Sequence, residues 1–309
     1  METKWLEDFV SLAETRSFSR SAQLRHVTQP AFSRRIQSLE AWAGTDLVDR
    51  SSYPTRLTPA GQTLYEQSLD ILQALQSTRT MLRSHTAAAQ DVIEFAVPHT
   101  LAFTFFPAWL SGLREACGPV KTRLIALNVH DAVMRMVEGS CDLLIAYHHA
   151  SQPIQLDTER YEMLHLGKEV LAPYVKPGPR GQPLYRLPGS AAEPVPFLAY
   201  APGAYLGRVV DWVLRQSGEP VHTQRVYETD MSESLKAMAI EGHGVAFLPT
   251  SSVQQALSDG RLVSAAPEPD GEVWRGHLDI RLYRAAGGKG KLAAQKFWDD
   301  VAQGGQPPP

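Results

Sequence analysis

The feature that most narrows the fold is a change of texture near residue 90. Before it, apolar residues recur at helical spacing; after it, short strand-like runs alternate with amphipathic helices. Trp5, Leu6, Phe9, Leu12 and Ala13 mark a first helix, and Ser17 to Leu24 a second carrying Phe18 and Ala22. After a three-residue break at His26 to Thr28, a third helix is expected. Thr28 is its N-cap, Pro30 sits where first-turn amides lack intrahelical partners, and Phe32, Ile36 and Leu39 form its buried stripe. Gly44, Asp46, Asp49 and Ser51 to Pro54 interrupt this pattern. Thr58 then opens a long helix to about His85, striped by Leu64, Leu69, Ile71, Leu72, Leu75 and Leu82, which calls for a partner helix.

Ala87 to Gln90 reads as a linker. Beyond it, strands are predicted at Val92 to Val97, Val120 to Leu127 and Leu143 to Tyr147, with helices at Phe105 to Leu113 and Val133 to Val137. This βαβαβ order implies a mostly parallel sheet. A second α/β lobe follows: strands Val170 to Val175, Phe197 to Tyr200, Thr223 to Glu228 and Val245 to Leu248, and helices Tyr205 to Gln216 and Ser232 to Ile240. Pro177 to Pro196 is a loop excursion. Val273 to Tyr283 alternates and is expected to return to the first lobe, before a last helix near Leu292 to Val301 and a disordered tail from Gly304 to Pro309.

The chain has 309 residues, enough for two or three domains, and no run of 18 apolar residues. Met1 leads into polar residues and a helix rather than a secretory leader, so a cytoplasmic protein away from membranes is expected, with Cys117 and Cys141 as reduced thiols. The formal charge of −3 conceals an uneven distribution. No acidic residue lies between Glu14 and Glu40, whereas Arg16, Arg20, Arg25, Arg34 and Arg35 do.

Two short helices, a tight turn and a polar outer face on the second have the physics of a helix-turn-helix that reads double-stranded DNA. Gln29, Arg34 and Gln37 can make bidentate contacts to adenine or guanine edges, Ser33 can reach a base or a phosphate, and the first-turn amides after Thr28 and Pro30 favour phosphate. Arg20 lies on the preceding helix; Arg50 and Arg56 flank a candidate wing. Spacing alone leaves a structural three-helix domain with a solvated basic face as an alternative.

The stretch "SFSRSAQLRHVTQPAFSRRIQSLEAWAGTDLVDR", followed by "RLTPAG" and the long helix, resembles LysR-type transcriptional regulators. "TQPAFSRRIQSLE" places Gln29, Pro30, Ser33, Arg34, Leu39 and Glu40 as that family does, and "MVEGSCDLLIA" and "EGHGVAFLP" resemble its recurrent effector-domain segments. Val48 departs from the pattern, which usually has an aromatic residue there. The likeness implies an α/β chain: a winged helix-turn-helix over residues 1–58, a linker and dimerisation helix with hinge over 59–90, and a two-lobed periplasmic-binding-protein-like effector domain over 91–309. Lobe I would span about 91–165 and 266–303, and lobe II about 166–265. It also implies a tetramer built from dimers acting on promoter DNA, with RNA polymerase as a further partner. "ETKWLEDFVSLAETRSFSRSA", "YLGRVV" and "MSESLKAMAIEGHGVAFLP" resemble the hypochlorite-responsive subgroup in particular.

In open α/β lobes the ligand crevice lies at the carboxyl ends of strands. Those ends supply Pro98, His99, Thr100, Asn128, His130, Tyr147 and His148 from one lobe and Tyr200, Tyr205, Thr229, Met231 and Ser232 from the other. Asp230 and Glu233 have capping-box spacing, which would aim first-turn amides into the cleft and suit a small anion or carboxylate. Met231 there is also open to oxidation to a polar sulfoxide, an event that an oxidant such as hypochlorite would drive. The histidines lack the spacing of a zinc site, "GGKGK" at Gly287 to Lys291 lacks the Walker pattern, and no cofactor is expected. The rival class is a two-lobed small-molecule binding protein or enzyme with an accessory helical N-terminus. No nucleophile elbow, phosphate loop or carboxylate dyad supports the enzyme.

Overall fold

The computed structural model describes residues 2–52, 54–83, 91–113, 117–154, 156–266, 271–287 and 290–304. The predicted linker at Ala87 to Gln90, the end of the long helix at His85 and the tail after Gly304 lie outside these residues, as does the side chain of Leu82. The chain divides into two compact units. One comprises Met1–Ala89 and Val137–Ser140, the other Gln90–Met136 and Cys141–Pro309.

In the first unit, α1 (Thr3–Thr15), α2 (Phe18–Leu24) and α3 (Gln29–Ala43) pack around Leu6, Phe9, Leu12, Phe32, Ile36 and Leu39, each no more than 1% exposed. His26 at φ 53° makes the turn, and the Phe18 ring meets Phe32 edge-on at 6.1 Å. Strands β1 (Val48–Asp49) and β2 (Arg56–Leu57) pair as a hairpin, and α4 (Pro59–Arg83) follows. Val48 is buried and paired with Leu57, so a valine at this position supports the hairpin. On α4, Leu69 and Leu72 are buried while Ile71 and Leu75 are exposed.

The second unit is built on one nine-stranded sheet. Its path runs β4 (Lys121–Leu127), β3 (Val92–Pro98), β5 (Leu143–His148), β11 (Gly276–Ala285), β6 (Tyr161–Val175), β9 (Val245–Pro249), β7 (Val195–Tyr200) and β8 (Thr223–Thr229), with β10 (Val263–Ser264) beside β6. Parallel strands form the core of each lobe, β4-β3-β5 in one and β8-β7-β9 in the other. The expectation of a mostly parallel sheet needs correction at its centre. There β6 and β11 run antiparallel to each other and to their flanking strands, and pass through both lobes. Only Val170 to Val175 was legible as strand within β6. The preceding half keeps Glu162, His165 and Lys168 at its surface, so its apolar pattern is broken.

The helix expected at Phe105 to Leu113 is instead two: α5 (His99–Thr104) and α6 (Phe106–Gly112), separated at Phe105 ahead of Pro107. Next come α7 (Val129–Val137), longer at its start than the spacing predicted, α8 (Tyr205–Gln216) with the expected bounds, and α9 (Ser232–Glu241). The sequence reading missed α10 (Thr250–Ser258), although Pro249 followed by Thr and Ser is a helix-start signal. The final helix is α11 (Leu292–Gly304), so Gly304 ends a helix rather than beginning the tail.

Candidate functional site

The outer face of α3 is set by its inner one. With Phe32, Ile36 and Leu39 buried, the 3.6-residue period turns Gln29, Pro30, Arg34 and Gln37 outward, all exposed, and leaves Ser33 half-buried. Thr28 occupies the N-cap position in extended conformation, yet its side chain makes no capping hydrogen bond. Ser17 does cap α2, accepting from the Arg20 amide at 3.4 Å.

The basic block is partly spent inside the fold. Asp8, fully buried, accepts from Arg25 Nε (2.9 Å) and Arg35 Nη1 (3.0 Å), and Arg25 also pairs with Glu7. Arg34 joins no ion pair among the described residues and stays exposed on the α3 face. Glu40, at the far end of α3, accepts from the Leu47 and Val48 amides (3.1 and 3.3 Å) and from Arg50 Nη2 (2.7 Å). Arg50 also lies over the Phe18 ring, 5.5 Å from its centroid, so its guanidinium braces the hairpin against the helices. Arg56, on β2, is exposed.

At the strand ends of the second unit, several of the predicted side chains do converge. Thr100, in the first turn of α5, donates to Ser232 Oγ (3.1 Å), and the Tyr200 and Ser232 hydroxyls are 2.8 Å apart; all three residues are buried. Asn128 Nδ2 donates to Asp230 Oδ2 (3.1 Å), beside Thr229, whose Oγ1 accepts from the Met231 amide (3.3 Å). Pro98 is buried where β3 ends, and His99 and His130 are half-buried in the first turns of α5 and α7. Tyr147 is 1% exposed, and its hydroxyl is buried beside the Thr104 side chain. Burial, with Glu169 and Tyr200 nearby, holds that phenol far above its ordinary pKa.

Three expectations are corrected. The capping box does not form: Met231 itself occupies the N-cap position, Asp230 is drawn to Asn128, and Glu233 pairs with Lys236. His148 follows Tyr147 on a strand and therefore faces the opposite side of the sheet, next to Asp279 and Arg281. Tyr205 goes with it, donating to the Gln152 carbonyl (2.9 Å) near Arg281 and Tyr283. Neither belongs to the hydroxyl cluster.

Sequence reasoning also missed Glu169. Its buried carboxylate accepts from the Val170 amide (2.9 Å), the Ser251 amide (3.3 Å) and the Ser251 hydroxyl, holding the start of α10. Tyr147 on β5 and Glu169 on β6 come near each other only because β11 pairs with both strands, so no local motif announces them. Met231 is 42% exposed, open to reagents in solution. Burial raises the thiol pKa of both Cys117 and Cys141, the reverse of what a reactive thiolate needs. Among the described residues, no His, Cys, Asp and Glu group is placed to hold a metal, and no helix is long and apolar enough to cross a membrane.

Residues 3–62 match the family of bacterial regulatory helix-turn-helix proteins of the lysR family, and residues 87–306 match the LysR substrate binding domain. The chain belongs to the LysR family. It is a DNA-binding transcriptional regulator with an effector-binding domain, and not an enzyme. The transcriptional regulator YjiE of Escherichia coli K12 is 34% identical over 85% of this chain and 83% of its own length. Full-length HypT from Salmonella typhimurium, described as a hypochlorite-specific LysR-type regulator, is 30% identical, with 97% of each chain covered and a TM-score of 0.58. DarR of Vibrio fischeri, solved in complex with DNA, is 29% identical over 98% of this chain and 99% of its own, also at a TM-score of 0.58.

Proposed function

We propose that this regulator reads promoter DNA through α3 and responds to oxidation of Met231 in its effector domain. The observation that carries the DNA reading is the exposed α3 face of Gln29, Arg34 and Gln37, backed by a fully buried stripe that fixes which side turns outward. Gln29 and Gln37 read base edges. Arg34, Arg20, Arg56, Ser33 and the first-turn amides beside Thr28 and Pro30 hold phosphates, and Arg50 positions the wing. One recognition helix touches too few base pairs to stand out in a genome, so the regulator acts as a dimer or tetramer joined through α4 and the effector domains, in the cytoplasm where promoter and RNA polymerase meet. The exposed Ile71 and Leu75 on α4 supply apolar surface for that pairing.

Arg34→Ala is expected to weaken binding to all sequences and to flatten the dependence of log K on log salt by about one unit. Gln29→Ala is expected to relax sequence preference by ~1–3 kcal/mol at its base. Titrating operator and scrambled DNA at several salt concentrations reads both effects. Equal losses on operator and scrambled DNA for Gln29→Ala would remove it from the base-reading set.

For the effector, two features favour an oxidant over a small anion. Met231 is exposed at the start of α9, next to Ser232, while the buried Glu169 carboxylate near Tyr147 disfavours a second negative charge there. The likeness to HypT points the same way. Hypochlorite transfers its oxygen to the Met231 sulfur, giving the sulfoxide and chloride, and the longer, polar side chain at the start of α9 alters how Ser232 meets Tyr200 and Thr100. Operator affinity is therefore expected to change after mild hypochlorite, and Met231→Leu to abolish the response. Mass analysis of Met231, of the equally exposed Met163 and of both cysteines identifies the oxidised group. A full response in Met231→Leu overturns the assignment.

A further inference from the structure

On the side of the sheet away from Tyr147, three neighbouring strands gather a second polar cluster that the cleft does not use. His148 of β5 stands opposite Asp279 of β11, and Asp279 stands opposite Lys168 of β6; two residues on, Arg281 stands opposite His165 of β6. Strand residues two apart share a face, so these side chains project together. One carboxylate serves the group: Asp279 accepts from Arg281 Nη2 (2.7 Å) and pairs with His165 Nε2 (3.3 Å). The Tyr283 phenol hydrogen-bonds the Arg281 guanidinium and Tyr205 lies near its charge, yet neither reaches Arg281 Nε.

Two nitrogens of the cluster are left over. Arg281 Nε and His148 Nδ1 are buried without a hydrogen-bond partner among the described residues. An arginine Nε always carries a proton, and a buried donor left unmatched is a cost that an incoming acceptor relieves. The cluster is also reachable, because the side chains of Arg281, Asp279 and His165 remain 21%, 32% and 38% exposed and Lys168 is exposed. A guanidinium, an ammonium and two imidazoles around one carboxylate leave an excess of donors and of positive charge, the recognition chemistry of an oxyanion.

We propose that this cluster is a second effector site, distinct from the cleft, which takes a small doubly charged oxyanion of the phosphate kind between Arg281, His148, His165 and Lys168. Its position gives occupancy a consequence. β6 and β11 are the strands that pass through both lobes, and their register shifts between Ile280 and Arg281, inside the cluster, between the Asp279–Lys168 and Arg281–His165 pairs. An anion tying β5, β11 and β6 together there favours one arrangement of the lobes over another, which is the requirement for coupling to an event in the cleft. The site requires neither Met231 nor the α3 reading.

The test is a titration of full-length protein with inorganic phosphate at ionic strength held constant with sodium chloride, followed by thermal unfolding and calorimetry. A saturable rise in melting temperature is expected, retained in Arg34→Ala and Ser232→Ala, and lost in Arg281→Gln. Lys168→Gln, at an exposed position, is expected to weaken binding about fivefold to tenfold. A parallel titration with glucose 6-phosphate separates a free-phosphate site from one for a phosphorylated metabolite: whichever binds more tightly identifies the source. No response beyond the chloride control, a response abolished by Arg34→Ala, or one undiminished in both Arg281→Gln and Lys168→Gln overturns the proposal.

Discussion

Gly61→Ala is expected to destabilise the winged helix-turn-helix by about 3 kcal/mol, the upper end of the usual cost of overpacking, and to abolish operator binding. Gly61 lies in the first turn of α4, within the "LTPAG" segment, and a Cβ built there would sit 2.0 Å from the Leu47 carbonyl oxygen and 2.9 Å from its carbon. Both obstacles are backbone, and that backbone has nowhere to go. The Leu47 carbonyl accepts from the Thr58 amide (3.0 Å), the Leu47 and Val48 amides are held by Glu40, and Thr58 Oγ1 donates to the Asp46 carbonyl (2.7 Å) while accepting from the Gly61 amide (3.0 Å). Relief therefore requires α4 to move away from the hairpin, breaking the link between the recognition helix and the helix proposed to pair subunits. Gly290→Ala is the control, since its Cβ would meet nothing within 4 Å. Calorimetry and DNA titration of the two variants check the expectation; a stable, DNA-competent Gly61→Ala protein would show that the close approach is not obligatory.

How far such features are legible in the sequence depends on how local their physics is. The three N-terminal helices and the bounds of α8 follow from apolar spacing, helped for α3 by the Thr28 cap position and Pro30, because one buried face fixes a helix wherever its partners come from. The "LTPAG" segment was recognisable as a pattern, but why it contains glycine is not, since the Leu47 carbonyl reaches it from across the hairpin. The cleft was half legible. Strand ends pointed to Thr100, Tyr200 and Ser232, which the fold does bring together, whereas His148 and Tyr205 were placed with them because nearness in sequence was taken for nearness in space. A single step along a strand reverses the face, and that step separates Tyr147 from His148. Glu169, Lys168 and His165 stood on a stretch whose charges hid its strand character, so neither the floor of the cleft nor the cluster behind it could be assembled before β6 and β11 were seen to run side by side. Arg25 and Arg35 teach the converse lesson: a basic run looks like a DNA-binding surface until a buried Asp8, far away along the chain, claims two of its members.

Phe95→Ala carries the largest expected cost in the effector unit, ~3–5 kcal/mol. Phe95 is fully buried on β3, and three rings meet it edge-on: Phe106 at 5.1 Å, Phe297 at 5.7 Å and Trp109 at 6.3 Å. These come from α6 and α11, so truncation leaves a cavity walled by separate elements that cannot all collapse inward at once. Three residues later β3 delivers Pro98 and then Thr100, whose hydroxyl bonds Ser232 in the opposite lobe. Loosening the strand thus reaches the contact through which oxidation of Met231 is proposed to act. The variant is expected to lose stability in the effector-domain transition, to keep the transition of the winged unit, and to respond weakly to hypochlorite even where operator binding persists. Leu292→Ala, at a residue 79% exposed, is expected to stay within about 0.5 kcal/mol of the parent. Chemical denaturation followed by tryptophan fluorescence compares the two variants. If Phe95→Ala proves as mild as Leu292→Ala, the four rings do not form the keystone of this lobe, and the route from Met231 through Ser232 and Thr100 to β3 loses its rigid support.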